Sequence, residues 1–478
     1  MKKFILLLII PFLSFGQDNS LFKLSKNNHT ILTQNIDNTI FLDLNIETID
    51  HLNSNQPCLI NLKMPFLNNE NIILRLEHFE VFTNDFQLAK TTEKKFVYDN
   101  YSPSIISYKI TGSNNLSGSI SILKDQVMGI IKKNGKVYEI MHIEKNIYAL
   151  FDISDALFEF NFSCEAIEKD LNIDISESTT QVNQLGTCLN MAIDIDYYTL
   201  MKFNFNCYDA VEWALGLLAG VSELYISELD VLIQASFIHI WETSNDPYGD
   251  LDNETSEYLN AFRNTWAYPS SFVSVERDIA HLFTKKNIGG GRAYLDVLCD
   301  NYYGYAVCGG LNTNINYEYL ALPYSPNAWG FMVISHELGH NIGSNHTHDC
   351  VWAPDNSLDF PGGAIDNCNM YSSLFNPETS CYGNPNSLFI NLPNDYGTIM
   401  SYCHLTSQAS LFFEFHPIIK SQSLIPGLAN SCLGVDCIDL SYDEDCGSEL
   451  IDSDGDFVLD SIDNCPGNMN VSQSDSDD

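Results

Sequence analysis

The chain has 478 residues, of which 62 are acidic and 23 basic, for a formal net charge of −39. That length leaves room for two or three domains, each with its own core. The acidity argues against nucleic acid or an anionic membrane surface as a partner, because both repel it, and it suits divalent cations.

In chain order, residues 1–16 read as a secretory signal. Lys2 and Lys3 form a positive start, Phe4 to Phe15 an apolar run, and Ser14 and Gly16 small residues near a cleavage point. The run is too short to span a bilayer, and no later stretch reaches about eighteen uninterrupted apolar residues, so no membrane anchor is expected. The expected location is therefore extracellular. The 14 cysteines agree with export. Only Cys58 and Cys164 precede residue 180, which puts oxidised pairing mainly in the second half.

Residues 17 to about 180 alternate in the manner of strands, as in Ile105 to Ile110, Ser117 to Leu123 and Lys136 to Ile140, and predict a β-rich segment. The polar stretch Ser176 to Gln181 reads as a linker and processing region, without a dibasic site. From Cys188 the texture changes. Met191 to Tyr198 suggests a strand, Tyr208 to Leu224 a helix, Val231 to Trp241 a long strand and Glu257 to Trp266 a helix. Strand-like runs at Asp278 to Phe283 and Arg292 to Leu298 flank a Gly289–Gly291 turn, so a mixed α/β domain is predicted. A further helix starts near Asn327, which can cap it.

That helix runs into His336, Glu337, Leu338, Gly339, His340, Asn341, Ile342, Gly343, Ser344, Asn345, His346. Histidines at i and i+4 lie one turn apart on one helix face, so both imidazoles reach one ion. Gly343 can take the positive φ that ends the helix and brings His346 round as a third ligand. Three protein ligands leave a zinc position open for water, the arrangement of a catalytic site. Glu337 sits beside that water as the catalytic base, and the expected reaction is hydrolysis of peptide bonds in polypeptide substrates. His348 is expected on the rim. In Gly397 to Tyr402, Met400 alone reads as a buried methionine, but beside the histidine motif it looks like a methionine turn beneath the metal.

These motifs resemble the metzincins, and within them the adamalysin or reprolysin group that includes the ADAM proteases. Arg277 to Leu282 and Gly290 to Leu295 look like the strands that precede the zinc helix in that group. The resemblance implies an α/β (α+β) catalytic domain over residues 186–432, with a twisted mixed sheet, an active-site helix and an edge strand that holds extended substrate. It also suggests a Cys308–Cys432 disulfide with Cys299 close by. Tyr402, two positions after Met400, matches the tyrosine of astacins and serralysins that ligates zinc or stabilises the oxyanion; the other reading is a tyrosine packed beside Cys403. Residues 107–150 resemble a reprolysin propeptide, with Tyr108, Gly112, Gly129 and Tyr138 at similar places, so residues 17–185 are expected to inhibit a zymogen. Cys164 is the candidate inhibitory switch, with a purely structural cysteine as the alternative and Cys58 the weaker candidate.

After Cys432 the chain carries acidic residues and no basic ones. Asp452, Asp454, Asp456, Asp460 and Asp463 are spaced as oxygen ligands for calcium, and the run through Cys465 and Pro466 resembles a thrombospondin type 3 repeat. Residues 433–478 are thus expected to form an acidic tail with a calcium-binding spacer. The tail breaks off at Asp477 and Asp478, where a second unit would begin, which predicts a longer natural chain. A competing reading is a calcium-dependent adhesion or matrix-binding protein with an inactive peptidase domain.

Overall fold

The computed structural model describes residues 20–26, 39–112, 116–124, 126–155, 165–167, 187–268, 271–311, 326–353, 363–366, 396–403, 410–429 and 432–433. The first half supplies β1 (Phe22–Leu24), β2 (Ile40–Leu44), α1 (Ile46–Asn55), β3 (Leu59–Pro65), β4 (Asn71–Phe79), β5 (Phe82–Thr91), β6 (Phe96–Asp99), β7 (Ile106–Thr111), β8 (Leu116–Leu123), β9 (Gln126–Lys133), β10 (Lys136–Glu144) and β11 (Ile147–Asp152). The first half ends with β12 (Glu165–Ile167), and the second half supplies β13 (Thr187–Ile195), α2 (Tyr197–Lys202), α3 (Cys207–Leu229), β14 (Val231–Trp241), α4 (Thr255–Ala267), β15 (Ile279–Phe283), β16 (Gly291–Tyr294), β17 (Tyr305–Cys308) and α5 (Pro326–Ile342).

Two large sheets result. The first, ordered β1-β2-β11-β10-β9-β8-β7-β4-β3, has 9 strands, and its described pairings are antiparallel. The second, with 8 strands in the order β12-β16-β17-β15-β13-β14-β5-β6, is mixed. Its middle strands β13, β14, β15 and β17 run parallel, and β16 runs antiparallel to β17. β5 and β6 come from the first half of the chain yet belong to the second sheet, with β5 parallel to β14. The sheets therefore do not divide at residue 186.

Local chemistry explains most element ends. Residues 196–198, expected to continue a strand, instead start α2, because the Asp196 carboxylate accepts the Thr199 N–H at 2.9 Å and caps a helix there. The Asn206 side chain accepts the Tyr208 N–H at 3.1 Å to begin α3. Among the described residues α3 is the one helix long and apolar enough to cross a membrane, and it is buried in the protein interior. Gly216 lets α3 approach the first sheet: a Cβ there would lie 3.2 Å from both Leu123 Cδ2 and Met128 Sδ.

α5 is capped from outside its own sequence. Helix residues begin at Pro326, so Asn327 falls in the first turn rather than at the cap. The Glu139 carboxylate on β10 accepts the N–H groups of Asn327 and Ala328, each at 3.2 Å. Glu139 is fully buried. Burial pushes its carboxyl pKa up to about 8, against the lowering effect of those two N–H donors.

Candidate active site

α5 places His336 and His340 on one face, and the chain then turns at Gly343, whose φ is +129°. The turn closes with the Ser344 N–H donating to Gly339 O at 2.8 Å. His346 follows, held by its backbone N–H donating to Asp349 Oδ2 at 2.8 Å and by Trp352 Nε1–H donating to His346 O at 2.7 Å.

The three rings are oriented by acceptors on their Nδ1 sides. His336 Nδ1 lies 2.6 Å from Ile399 O, and His340 Nδ1 lies 2.6 Å from Ser344 O. His346 Nδ1 lies 3.4 Å from Asp349 Oδ2. A proton on each Nδ1 leaves each Nε2 lone pair free. Those lone pairs converge: His340 Nε2 is 3.1 Å from His336 Nε2 and 3.2 Å from His346 Nε2. Nitrogens about 2.0–2.1 Å from a tetrahedral zinc stand about 3.3 Å apart, so this donor set fits zinc with a fourth position left over. Burial pushes the His340 pKa down to about 3, helped by the neighbouring His346, which keeps the ring neutral as a ligand must be.

Glu337 is buried between the ligand helix and β16. Gly291, the first residue of β16, abuts it so closely that a Cβ would collide with the Glu337 carboxylate. Asn341 ties the same helix to the sheet. Its Nδ2 donates to Tyr294 O at 2.8 Å and Tyr305 O at 3.2 Å, and its Oδ1 lies 2.8 Å from His281 Nε2.

Met400 lies under the helix, where a Cβ on Gly339 would come within 2.6 Å of its Sδ. The Met400 carbonyl accepts the Thr347 N–H at 3.0 Å, joining this turn to the stretch after His346. Tyr402 is buried, with its ring 4.8 Å from those of both His346 and His348. His348, expected on the rim, is buried instead and stacks on His346 at 4.8 Å.

One disulfide expectation is overturned. Cys299 pairs with Cys432, their Cα atoms 6.1 Å apart, while Cys308 is free and buried. Cys308 ends the interior strand β17 with its Sγ 3.8 Å from His281 Nδ1, whereas Cys299 sits on a turn with φ +65°. The side chain of Cys308 points into the core, away from any partner at the domain's end. Cys58 is disulfide-bonded. Cys164, the signal segment, the linker and the calcium candidates Asp452, Asp454, Asp456, Asp460 and Asp463 lie outside the described residues.

The residues immediately after Cys164 are described. β12 pairs in parallel with β16, matching Glu165 to Arg292, Ala166 to Ala293 and Ile167 to Tyr294. The first half of the chain thus already occupies the sheet edge beside Glu337. Glu139, Gly291, Asn341 and Asp349 were not singled out as functional from sequence. Glu139 carried a usable signal, a lone carboxylate inside the apolar run from Val137 to Ile140.

Residues 186–412 match the family model Reprolysin_5, metallo-peptidase family M12. The zinc metalloproteinase-disintegrin-like brevilysin H2a and brevilysin H2b of Gloydius brevicauda are each 26% identical over 164 residues, covering 33% of this chain and 34% of theirs. The chain thus spans about a third of the length of these curated relatives. Metalloproteinase-II from Bacteroides fragilis aligns over 64% of this chain and 86% of its own, with 11% identity and a TM-score of 0.38. The match over residues 186–412, joined to the three converging histidines, supports a zinc metallopeptidase of family M12 in that part of the chain.

Proposed function

We propose that the protein is a secreted zinc endopeptidase, made as a zymogen, that hydrolyses peptide bonds of polypeptide substrates. The observation that carries this reading is the convergence of three Nε2 lone pairs beside a buried glutamate at the edge of a mixed sheet. Zinc, when bound by His336, His340 and His346, supplies Lewis-acid polarisation and makes water more acidic. Glu337 takes the proton from the attacking water and passes it to the leaving amine. β16 holds the substrate backbone by strand pairing. Tyr402, packed against His346, stabilises the developing oxyanion.

Inhibition by the chain's own first half is supported by β12, whose pairing with β16 uses the edge a substrate needs. Cys164, directly before it, is the proposed switch. Export is supported by the charged and apolar start and by the disulfide-bonded cysteines. Calcium in the acidic tail is supported by the spacing of its aspartates.

The test is to express the chain by secretion, measure bound zinc, and follow casein and a quenched peptide library. Activity in the parent, its loss in Glu337→Ala with zinc retained, and its return when zinc is added after chelation are the expected results. A zinc-loaded protein that in no processed form exceeds the Glu337→Ala background overturns the peptidase reading.

A further inference from the structure

The strands of the first sheet face two ways, because successive residues point to opposite sides. Ile131, Ile140 and Leu150 face one core, which they share with Ile49 and Leu52 of α1. Their chain neighbours Ile130, Met141 and Phe151 face the other side, together with Met128 and Val137. Among the described residues, that second side has no core of its own. Its residues belong to one continuous cluster with α3, β13, β14 and α5.

Polar groups follow the same division. β5 pairs with β14 from Phe237↔Gln87 to Trp241↔Thr91, and the flanking N–H groups of Ala235 and Glu242 donate to Val81 O at 2.8 Å and Thr91 O at 2.9 Å. His239 on β14 lies 2.6 Å from Asp194 on one ring nitrogen and 2.8 Å from Thr91 Oγ1 on the other. Glu212 on α3 accepts hydrogen bonds from Tyr101 and Ser104. Glu139 closes the start of the active-site helix. Alone, the second half would present a broad apolar face, an open β14 edge and an uncapped catalytic helix.

We propose that residues 20–155 are a permanent subunit of the peptidase, so that a cut after them severs the chain without releasing them. This rests on the reading of the chain as a precursor processed between its halves. Inhibition and scaffolding are then separate duties: the short strand β12 is what must leave the cleft, and the part from residue 20 to 155 stays.

The experiment uses the full chain carrying Glu337→Ala, with Cys58→Ser added because the Cys58 disulfide reaches a cysteine beyond residue 155, and with a recognition sequence for a site-specific protease inserted between Thr180 and Gln181. After the cut, the two pieces are expected to co-elute at the mass of the uncut chain down to about 10 nM, as an obligate and largely apolar interface requires. They are expected to part on a non-reducing denaturing gel. Separation under native conditions overturns the proposal, whether or not the second piece stays folded. Pieces that remain joined on the denaturing gel also overturn it, since a disulfide rather than this surface then holds them.

Met128→Ala, at the approach of α3, should raise the concentration at which the pieces part by about tenfold or more. No change would place the association elsewhere and overturn the assigned surface. Because these readouts need no activity, failure here is distinct from failure of the peptidase reading, which the casein assay decides.

Discussion

Single residues decide the proposed chemistry through close approach. Gly291 has no Cβ to push against Glu337, so Gly291→Ala should shift the carboxylate and lower kcat by about 10- to 100-fold while zinc content, measured by metal analysis, stays at the parent level. Zinc lost together with activity would refute a role confined to Glu337. Glu139 offers a second test. With its pKa raised from 4.5 to about 8 in the folded protein, its contribution to stability is complete below pH 4.5 and is lost as pH rises through 8. Glu139→Gln mimics the protonated acid. Between pH 5 and pH 8 the parent should therefore lose stability relative to the variant by on the order of a few kcal/mol, at the lower end because the helix N-terminus favours the charged form. Urea unfolding at both pH values measures it, and a constant difference would refute it. The ligand spacing His336, His340, His346 was legible in sequence because a helix turn and one glycine are local matters. The service of Glu139 was not, since its partners stand 188 and 189 positions away.

At the scale of elements, the active-site helix is bounded at both ends by special devices. At its C-terminal end Gly343 holds a φ of +129°, a region where side chains are strained. Gly343→Ala should cost about 1 kcal/mol or more of stability and weaken zinc binding, because His346 is delivered by that turn. Competition against a zinc chelator checks it; unchanged affinity would mean that His346 is placed independently of the turn. At the N-terminal end Glu139 does what Asn327 was expected to do. The helix itself was readable from its apolar run into the histidine motif, and so were β14 and α3 from β-branched and apolar periodicity. The first residues of α2 were misread as the end of a strand, since Tyr197 and Tyr198 favour strands and only the Asp196 cap turns them into a helix.

For the whole molecule, the Cys299–Cys432 disulfide joins positions 133 residues apart and ties the end of the catalytic half to the loop that leads into β17. Removing it with Cys299→Ser should cost about 3–5 kcal/mol through the freed chain entropy, measured by chemical unfolding. A change well under 1 kcal/mol would show that core packing already holds residue 432. Composition, the extended histidine motif and the strand and helix periodicities were enough, by themselves, to set the mixed α/β class and the residues that converge on a metal. Each depends on contacts within a turn or two of chain, where spacing alone dictates geometry. Only the tertiary structure decided that β5 and β6 extend the second sheet, that Cys299 rather than Cys308 meets Cys432, and that Glu139 caps the catalytic helix. Those outcomes depend on which surfaces meet across many tens to hundreds of residues, and a strand's own sequence carries its period but not the identity of its neighbour.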